Sequence, residues 1–264
     1  VVKNPGIKYT TPFIQKLLTL DYKIYNEIEV SLMFVNDVNV IAVSGTNGKT
    51  TTVSLLGEMM KAQYSDAYVA GNIGNAVSET IYKHRNLKHL VVEMSSFQLD
   101  GTYDFKPHTA TLTNLQQDHL DYYESLDDYY ASKQKIYANQ DANDYFILNA
   151  DDEILLKHLN NIESTIISYG IDQKSDVDII GDDVMYEGDL LFNIKEMSLV
   201  GKHNVYNALS AALMAHINGV SLDVIQKTLK TFKGVEHRIE YVDTINGVKY
   251  YNDSKATNVE SVMV

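Results

Sequence analysis

Residues Val40 to Ala62 read "VIAVSGTNGKTTTVSLLGEMMKA". A short apolar run leads into two glycines, Gly45 and Gly48, and a helix-like pattern follows. Glycines let backbone N–H groups turn inward around an anion, and a helix N-terminus adds unpaired donors and a positive dipole end. The stretch therefore predicts a strand, a phosphate-binding loop and a helix, in that order.

Within this loop, Lys49 can reach the terminal phosphates of a nucleotide and the hydroxyl of Thr50 can bind Mg²⁺. The spacing is unusual, because two residues separate the glycines and Val43 stands where the first glycine of a common phosphate loop would be. The alternative, a plain turn before a polar helix start, leaves Lys49 beside a helix N-terminus without an anion. We therefore predict that a bound phosphate group contacts Gly45, Thr46, Asn47, Gly48, Lys49, Thr50 and Thr51.

The composition excludes several classes of protein. The chain has 264 residues, which corresponds to one large domain or two smaller ones. A net charge of −13 argues against a nucleic-acid binder or an anionic-membrane binder, but not against a small anionic ligand held at contact distance. There are no cysteines, which excludes disulfides and thiolate metal sites and is compatible with the cytoplasmic location that we expect. No apolar run approaches the ~18 residues of a membrane span.

From Val38 onward, short apolar segments alternate with helical patterns, which predicts an α/β fold with a mostly parallel sheet covered on both faces. A domain boundary is predicted near Gly234, and Asn246-Gly247 is typical of a type I′ hairpin turn. Strands are predicted at 38–44, 67–71, 89–95, 109–114, 145–149 and 165–170, with shorter ones near 178–180, 184–186 and 190–194. Helices are predicted at 11–18, 27–34, 51–61, 76–84, 126–139, 204–217 and 221–232.

Two further candidates follow the ends of predicted strands, where ligands of parallel sheets bind. Glu93 ends the run "HLVVEMS" and is predicted to bind Mg²⁺; its alternative is a solvated strand-end glutamate. His119 follows the next strand, and a polar loop remains an equal alternative for it. Lys133 and Lys135 have the pattern of ordinary exposed helix lysines.

Three other clusters are rich in amides and small polar residues, namely "AGNIGNA" (70–76), "GKHNVYNALSAA" (201–212) and "YNDSKATN" (251–258). Each has a plain alternative: a turn, a helix start and a polar loop. Asn204 and Asn207 are three residues apart and share one helix face. The coincidence of all three clusters with a phosphate loop favours a functional interpretation.

Together with "EMSSFQL", "TNLQQDHLD", "ASKQKIY" and "GVEHRIE", these motifs resemble the Mur ligase family of ATP-dependent amide-forming enzymes. "SSFQL" and "NDSKATN" resemble the branch that adds D-glutamate. The resemblance implies a central P-loop ATPase domain at 36–234. It also implies the tail of an N-terminal UDP-binding domain at 1–35 and the start of a C-terminal Rossmann-like ligase domain at 235–264.

The family reaction implies that ATP phosphorylates the carboxylate of UDP-N-acetylmuramoyl-L-alanine and that the amine of D-glutamate attacks the acyl phosphate. By resemblance, Thr50 and Glu93 hold one Mg²⁺, and Glu93 and His119 help to hold a second. The resemblance also assigns Lys133 a role as a carbamylated, anionic ligand. The implied catalytic residues are Lys49, Glu93, His119 and Lys133.

The resemblance implies further contacts for residues outside the phosphate loop. Five of these residues would approach the nucleotide: Asn204, Asn207, His237, Arg238 and Asp253. Seven others would approach the substrates: Asn72, Ser95, Ser96, Gln98, Asn114, Lys255 and Thr257. A monomer is expected, with no nucleic-acid or membrane partner. Two alternatives stay open: a Mur ligase that adds another amino acid, and an ATP-binding module without catalysis.

Overall fold

A parallel sheet of six strands lies at the centre of the computed structural model, which describes residues 1–118, 122–236 and 240–256. The predicted α/β fold is confirmed, and each predicted strand of the sheet is present with ends shifted by two residues at most. The strands are β1 (Asn39–Ser44), β2 (Ala67–Gly71), β3 (His89–Glu93), β4 (Thr109–Leu112), β5 (Tyr145–Asn149) and β6 (Thr165–Tyr169). Their order across the sheet is β2-β3-β1-β4-β5-β6.

Helices cover both faces of this sheet and build two hydrophobic cores. The helices are α1 (Pro12–Thr19), α2 (Glu27–Leu32), α3 (Lys49–Gln63), α4 (Val77–Lys83), α5 (Ser96–Leu99), α6 (Leu126–Gln134), α7 (Glu153–His158), α8 (Lys202–Ile217) and α9 (Leu222–Thr231). Helices α3, α8 and α9 pack on one face, and α2, α4 and α6 pack on the other.

The alternation of side chains along β1 and β3 decides which face Glu93 belongs to. Val43 and Val91 lie in the core beneath α3 and α8, whereas Ala42 and Val92 lie in the core on the opposite face. Glu93 pairs in register with Val43. Because side chains alternate between the faces of a strand, Glu93 points to the side of α3.

Two predicted helix boundaries are wrong in an informative way. Helix α3 begins at Lys49 rather than at residue 51, so Lys49 and Thr50 belong to its first turn. Helix α6 ends at Gln134 rather than at residue 139. Beyond it, the N–H of Ile136 donates to the carbonyl of Lys133 in a tighter, three-residue turn. Helical periodicity continues through such turns, which is why the sequence pattern missed the end.

Two smaller sheets follow the parallel one. Strands β7 (Val177–Ile180), β8 (Asp183–Tyr186) and β9 (Asp189–Asn193) form an antiparallel sheet, and β10 (Glu240–Ile245) pairs with β11 (Val248–Asn252). Asn246 and Gly247 have φ values of 51° and 81°, which confirms the predicted type I′ turn. The domain boundary near Gly234 stays a prediction.

Across residues 1–118, 122–236 and 240–256, every helix falls short of the length and apolar character that a membrane crossing requires.

Candidate functional site

The segment Gly45–Gly48, which we call the glycine loop, connects β1 to α3 and adopts a conformation that requires glycine at both ends. Gly45 has a φ of 131°, and a Cβ atom there would lie 2.0 Å from Oγ1 of Thr113. Gly48 has a φ of 84°, and a Cβ atom there would lie 2.4 Å from Oδ1 of Asn207. Both the backbone conformation and the close neighbours therefore exclude larger residues.

Two lysine amines converge on this loop. Nζ of Lys49 donates to the carbonyl oxygens of Gly45 at 3.0 Å and of Thr46 at 2.6 Å. Nζ of Lys133 donates to the same Gly45 oxygen at 2.7 Å. Lys133 is only 2% exposed, so the pattern-based prediction of an ordinary exposed lysine is wrong for it. The end of α6 carries it across to the glycine loop, which periodicity within α6 does not reveal.

The surroundings of Lys133 favour its neutral form. Burial lowers the pKa of Lys133 well below its usual range, and the nearby charge of Lys49 lowers it further, while Asp118 acts in the opposite direction. The ring of Tyr129, whose centroid lies 4.8 Å from the amine, also acts in the opposite direction because an aromatic face attracts a cation. A lowered pKa increases the fraction of the amine that is neutral and nucleophilic.

Glu93 is a second buried ionisable group at this edge of the sheet. It is 2% exposed, and its Oε1 accepts a hydrogen bond from Nδ2 of Asn72 at 2.9 Å. Its Oε2 is buried and accepts no hydrogen bond from any described residue. An unsatisfied buried carboxylate oxygen is costly, and a hard cation such as Mg²⁺ would satisfy it.

Residues 1–118, 122–236 and 240–256 supply only part of the set of ligands that a metal ion needs. Thr50 is buried in the first turn of α3, where its hydroxyl is suited to Mg²⁺. No group of three or more histidine, cysteine, aspartate or glutamate side chains that could hold a metal occurs in the described part of the chain. His119, the third predicted ligand, lies outside that part.

The segment Thr113–Gln116, which we call the β4 loop, is bonded to the glycine loop along its length. The backbone N–H of Asn47 donates to Oδ1 of Asn114 at 2.9 Å, and Nδ2 of Asn114 donates to the carbonyl of Asn47 at 2.9 Å. The N–H of Thr46 donates to the carbonyl of Asn114 at 3.0 Å. Asn114 thus supports the glycine loop, and its predicted contact with the substrate stays a prediction.

Sequence analysis did not single out Gln116, yet its side chain is part of this network. Its Oε1 accepts from Nδ2 of Asn47 at 2.6 Å. Its backbone N–H donates to Oγ1 of Thr46 at 3.0 Å, and its carbonyl accepts from that hydroxyl at 3.2 Å. Nothing in "TNLQQD" distinguishes Gln116 from Gln117, because their difference is one of tertiary contact.

The predicted asparagine pair lies against the other side of the glycine loop. Nδ2 of Asn207 donates to Oδ1 of Asn204 at 3.3 Å, which confirms that the two share one face of α8. Oδ1 of Asn207 accepts from Oγ1 of Thr52 at 3.3 Å. Helix α8 is therefore linked directly to the start of α3.

A cavity of about 1040 Å³ opens beside these residues. Its lining includes polar groups of the glycine loop and of α8, at Asn47, Asn204 and Asn207, and also Gly48, Thr51 and Asp253. The lining also includes the aromatic residues Tyr169, Tyr206, Tyr241 and Tyr251. The cavity thus offers both hydrogen-bonding groups and aromatic surface, which suits a nucleotide.

The predicted substrate-binding residues after β3 are engaged in local structure. Ser95 is the N-cap of α5, and its Oγ accepts from the N–H of Gln98, while Oε1 of Gln98 accepts from the N–H of Ser95. Ser96 is buried and Lys255 is exposed. The capping box orients α5, and the substrate contacts of these residues and of Asn72 stay predictions. His237, Arg238 and Thr257 lie outside the described residues.

Comparison with known proteins agrees with this geometry. A family model described as "Mur ligase middle domain" matches residues 43–215. A UDP-N-acetylmuramoylalanine--D-glutamate ligase from Staphylococcus haemolyticus is 40% identical over 98% of this chain and 57% of its own length. A protein of the same name from Leuconostoc citreum is 42% identical over 99% of this chain and 58% of its own. The chain spans a little over half the length of these relatives.

Solved structures share the fold at lower identity. MurF from Acinetobacter baumannii has a TM-score of 0.68 and 21% identity, covering 86% of this chain and 52% of that one. A pseudomurein peptide ligase type C from Methanothermus fervidus has a TM-score of 0.68 and 23% identity, covering 94% and 59%. With a matching family model and relatives at about 40% identity over nearly its whole length, and with a glycine loop at the end of β1, the chain belongs to the Mur ligase family.

Proposed function

We propose that this chain is part of an ATP-dependent ligase that joins D-glutamate to UDP-N-acetylmuramoyl-L-alanine, a step in peptidoglycan precursor synthesis. The relatives that carry this name support the choice of amino acid, because they match nearly all of the chain. The activity belongs to the whole protein, since this chain corresponds to 57–58% of those relatives. A cytoplasmic, monomeric enzyme remains part of the proposal.

The observation that carries the proposal is the convergence of Lys49 and Lys133 on the carbonyl of Gly45. Lys49 stands where it can neutralise the charge that develops on a transferred phosphoryl group. Backbone N–H groups at the start of α3 add donors for the same oxygens. The site is therefore suited to activating a carboxylate by phosphorylation.

Magnesium ions would neutralise phosphate charge and orient the reacting oxygens. Glu93 and Thr50 fit this role, because Oε2 of Glu93 is buried and accepts no hydrogen bond from a described residue. His119 is proposed as a further ligand of a second ion. Two ions, both close to the glycine loop, are part of the proposal.

Lys133 is proposed to act as a carbamate. Carbamylation requires a neutral amine, and the pKa of Lys133 is lowered by burial and by Lys49. The modification would replace a buried cation with an anionic oxygen ligand suited to Mg²⁺. This accounts for a lysine at a position where an unmodified amine is costly to bury.

Two other functions are separated from this one by direct assays. A Mur ligase specific for another amino acid would release phosphate with L-lysine or meso-diaminopimelate rather than with D-glutamate. A non-catalytic ATP-binding module would release none with any of the three. Lys49 and Lys133 meet at one carbonyl, and Glu93 ends the strand that pairs with β1, which argues against the second alternative.

The decisive experiment substitutes Lys49 in the full-length enzyme. We expect Lys49→Ala to reduce D-glutamate-dependent phosphate release by about 100-fold or more, because transition-state charge loses its partner. Lys61, exposed in the last turn of the same helix, provides the matched control Lys61→Ala. Circular dichroism checks that both variants fold. Wild-type turnover in Lys49→Ala would contradict the proposed function.

A further inference from the structure

The hydrogen bonds between the β4 loop and the glycine loop determine which backbone donors remain for a phosphate. The N–H groups of Thr46 and Asn47 both donate to Asn114, to its carbonyl and to its Oδ1 respectively. The first N–H groups of a helix, by contrast, have no acceptor within the helix. The start of α3 is therefore the part of this loop–helix junction that can donate to a bound phosphate.

The position of that helix start depends on how Asn47 is held. Its carbonyl accepts from Oγ1 of Thr113 at 2.6 Å and from Nδ2 of Asn114 at 2.9 Å. Its side-chain amide has a contact of a different kind, a 2.6 Å hydrogen bond to Oε1 of Gln116. Asn47 is followed directly by Gly48, which has a left-handed conformation and leads into α3.

The backbone next to Gln116 is hydrogen-bonded to a neighbouring helix cap. The neighbouring N–H of Leu115 donates to Oδ2 of Asp152 at 3.0 Å, and Oδ1 of Asp152 accepts from the N–H of Leu155 as the cap of α7. The β4 loop is thus tied to the end of β5 and to α7. A hydrogen bond from this support can hold the glycine loop in one position.

We propose that Gln116 is a positioning residue that, through the side chain of Asn47, holds the glycine loop so that the N–H groups at the start of α3 face the phosphates of ATP. The proposal rests on the proposed function, because it assumes that ATP binds this loop. Gln116 also lines the cavity, but its proposed role is to act through Asn47 rather than by contact with the nucleotide.

The chain offers a matched control in the next residue. Gln117 has the same side chain and the same local sequence but is exposed, whereas Gln116 is half-buried against the glycine loop. Gln116→Met provides a second test variant, since it keeps the side-chain volume and removes the acceptor. Similar effects of Gln116→Ala and Gln116→Met would assign the loss to the hydrogen bond rather than to packing.

The experiment measures Mg·ATP affinity calorimetrically and steady-state kinetics in the full-length enzyme. We expect Gln116→Ala to weaken ATP binding roughly fivefold, the size of one hydrogen bond, and Gln117→Ala to leave it unchanged. The KM for ATP should rise while the KM for D-glutamate stays constant. A general structural defect would raise both KM values.

A double-mutant cycle with Asn47→Ala tests the pathway, because alanine keeps the backbone bonds of residue 47. If Gln116 acts through the side chain of Asn47, Gln116→Ala should cause little further loss of ATP affinity in a protein that already carries Asn47→Ala. Fully additive effects, or wild-type ATP affinity in Gln116→Ala, overturn the positioning role and leave the proposed function standing. Failure of the unsubstituted enzyme to bind ATP overturns both.

Discussion

The glycine loop and the buried ionisable groups beside it satisfy their polar atoms in opposite ways. In the loop, the N–H groups and side chains of Thr46 and Asn47 bond to neutral amides and carbonyls of the β4 loop. Glu93 keeps one buried oxygen that no described residue bonds, and Lys133 is a buried amine with a depressed pKa. The hydrogen bonds of the glycine loop form without a ligand, whereas burying Glu93 and Lys133 costs free energy unless a cation or a modification stabilises them.

This difference indicates that the two regions contribute differently to ligand binding. A loop whose bonds are already formed keeps its shape before ATP binds, so little ordering entropy is lost on binding. Groups left unsatisfied in the protein alone gain most from a cation or a modification. Substitutions in the loop should therefore reduce both stability and binding, whereas substitutions of the ionisable groups should reduce function while leaving stability intact or raising it.

The largest expected effect is that of Gly45→Ala. The added Cβ would lie 2.0 Å from Oγ1 and 2.8 Å from the backbone nitrogen of Thr113, in a backbone conformation that alanine rarely adopts. We expect a loss of about 2–4 kcal/mol in the free energy of unfolding, measured by denaturant titration, together with the loss of ATP binding.

The control for this prediction is Gly181→Ala in the turn between β7 and β8. Gly181 has a φ of 67° and no atom within 4 Å of its Cβ position, so the substitution introduces conformational strain without a clash. It should cost about 1–2 kcal/mol and leave ATP binding intact. Equal losses in the two variants would show that the contact with Thr113 is unimportant.

A smaller effect is expected for Glu93→Gln, which removes the charge and can keep the hydrogen bond from Asn72. If Oε2 binds Mg²⁺, half-maximal activity should require at least roughly tenfold more Mg²⁺. Even substitutions of groups that only hydrogen-bond to a metal ligand reduce metal affinity or activity by about 10–100-fold. The melting temperature without metal should stay constant or rise, since a neutral amide replaces a buried carboxylate whose Oε2 has no hydrogen bond from a described residue. Glu79→Gln, at an exposed site in α4, is the control, and an unchanged Mg²⁺ titration in Glu93→Gln would remove Glu93 as a ligand.

The smallest effect concerns stability and its pH dependence in Lys133→Met. The pKa of Lys133 is lower in the folded than in the unfolded protein, so its burial is most destabilising below the folded pKa and this cost is relieved as pH rises towards the unfolded value. In metal-free and CO₂-free buffer, Lys133→Met should therefore stabilise the protein by about 1–3 kcal/mol near neutrality, and less at alkaline pH.

Thermal unfolding at several pH values would measure this gain, with Lys157→Met at an exposed position of α7 as the control. A gain that grew with rising pH would contradict the depressed pKa of Lys133. The same variant should lose ligase activity, which would separate the contribution of this lysine to function from its effect on stability.

The main features of the fold and part of the site were predictable because they depend on local geometry. Alternating apolar strands and helical patterns predict the parallel sheet, and the end of β3 places Glu93 at the carboxyl edge. Asn204 and Asn207 share a face because three residues separate them on a helix. Each of these inferences uses only near neighbours in sequence or the general topology of parallel sheets.

Other features depend on contacts between distant segments, and the pattern of residues did not reveal them. Lys133 lies 88 positions from Gly45, and its burial follows from where α6 ends. Gln116 and Gln117 are equivalent in sequence, yet one holds Asn47 and the other is exposed. The resemblance to a family assigned Lys133 a role, but it provided no physical reason for a low pKa.

By itself, the sequence determined the strand, glycine loop and helix, because positive φ values at Gly45 and Gly48 are a property that glycine carries locally. Tertiary structure alone decided which lysine amine became buried, which glutamine supports the loop and which carboxylate oxygen stayed without a hydrogen bond from the described residues. The physical reason is that solvation and hydrogen bonding of a side chain depend on the segments packed around it, and those segments are distant in sequence.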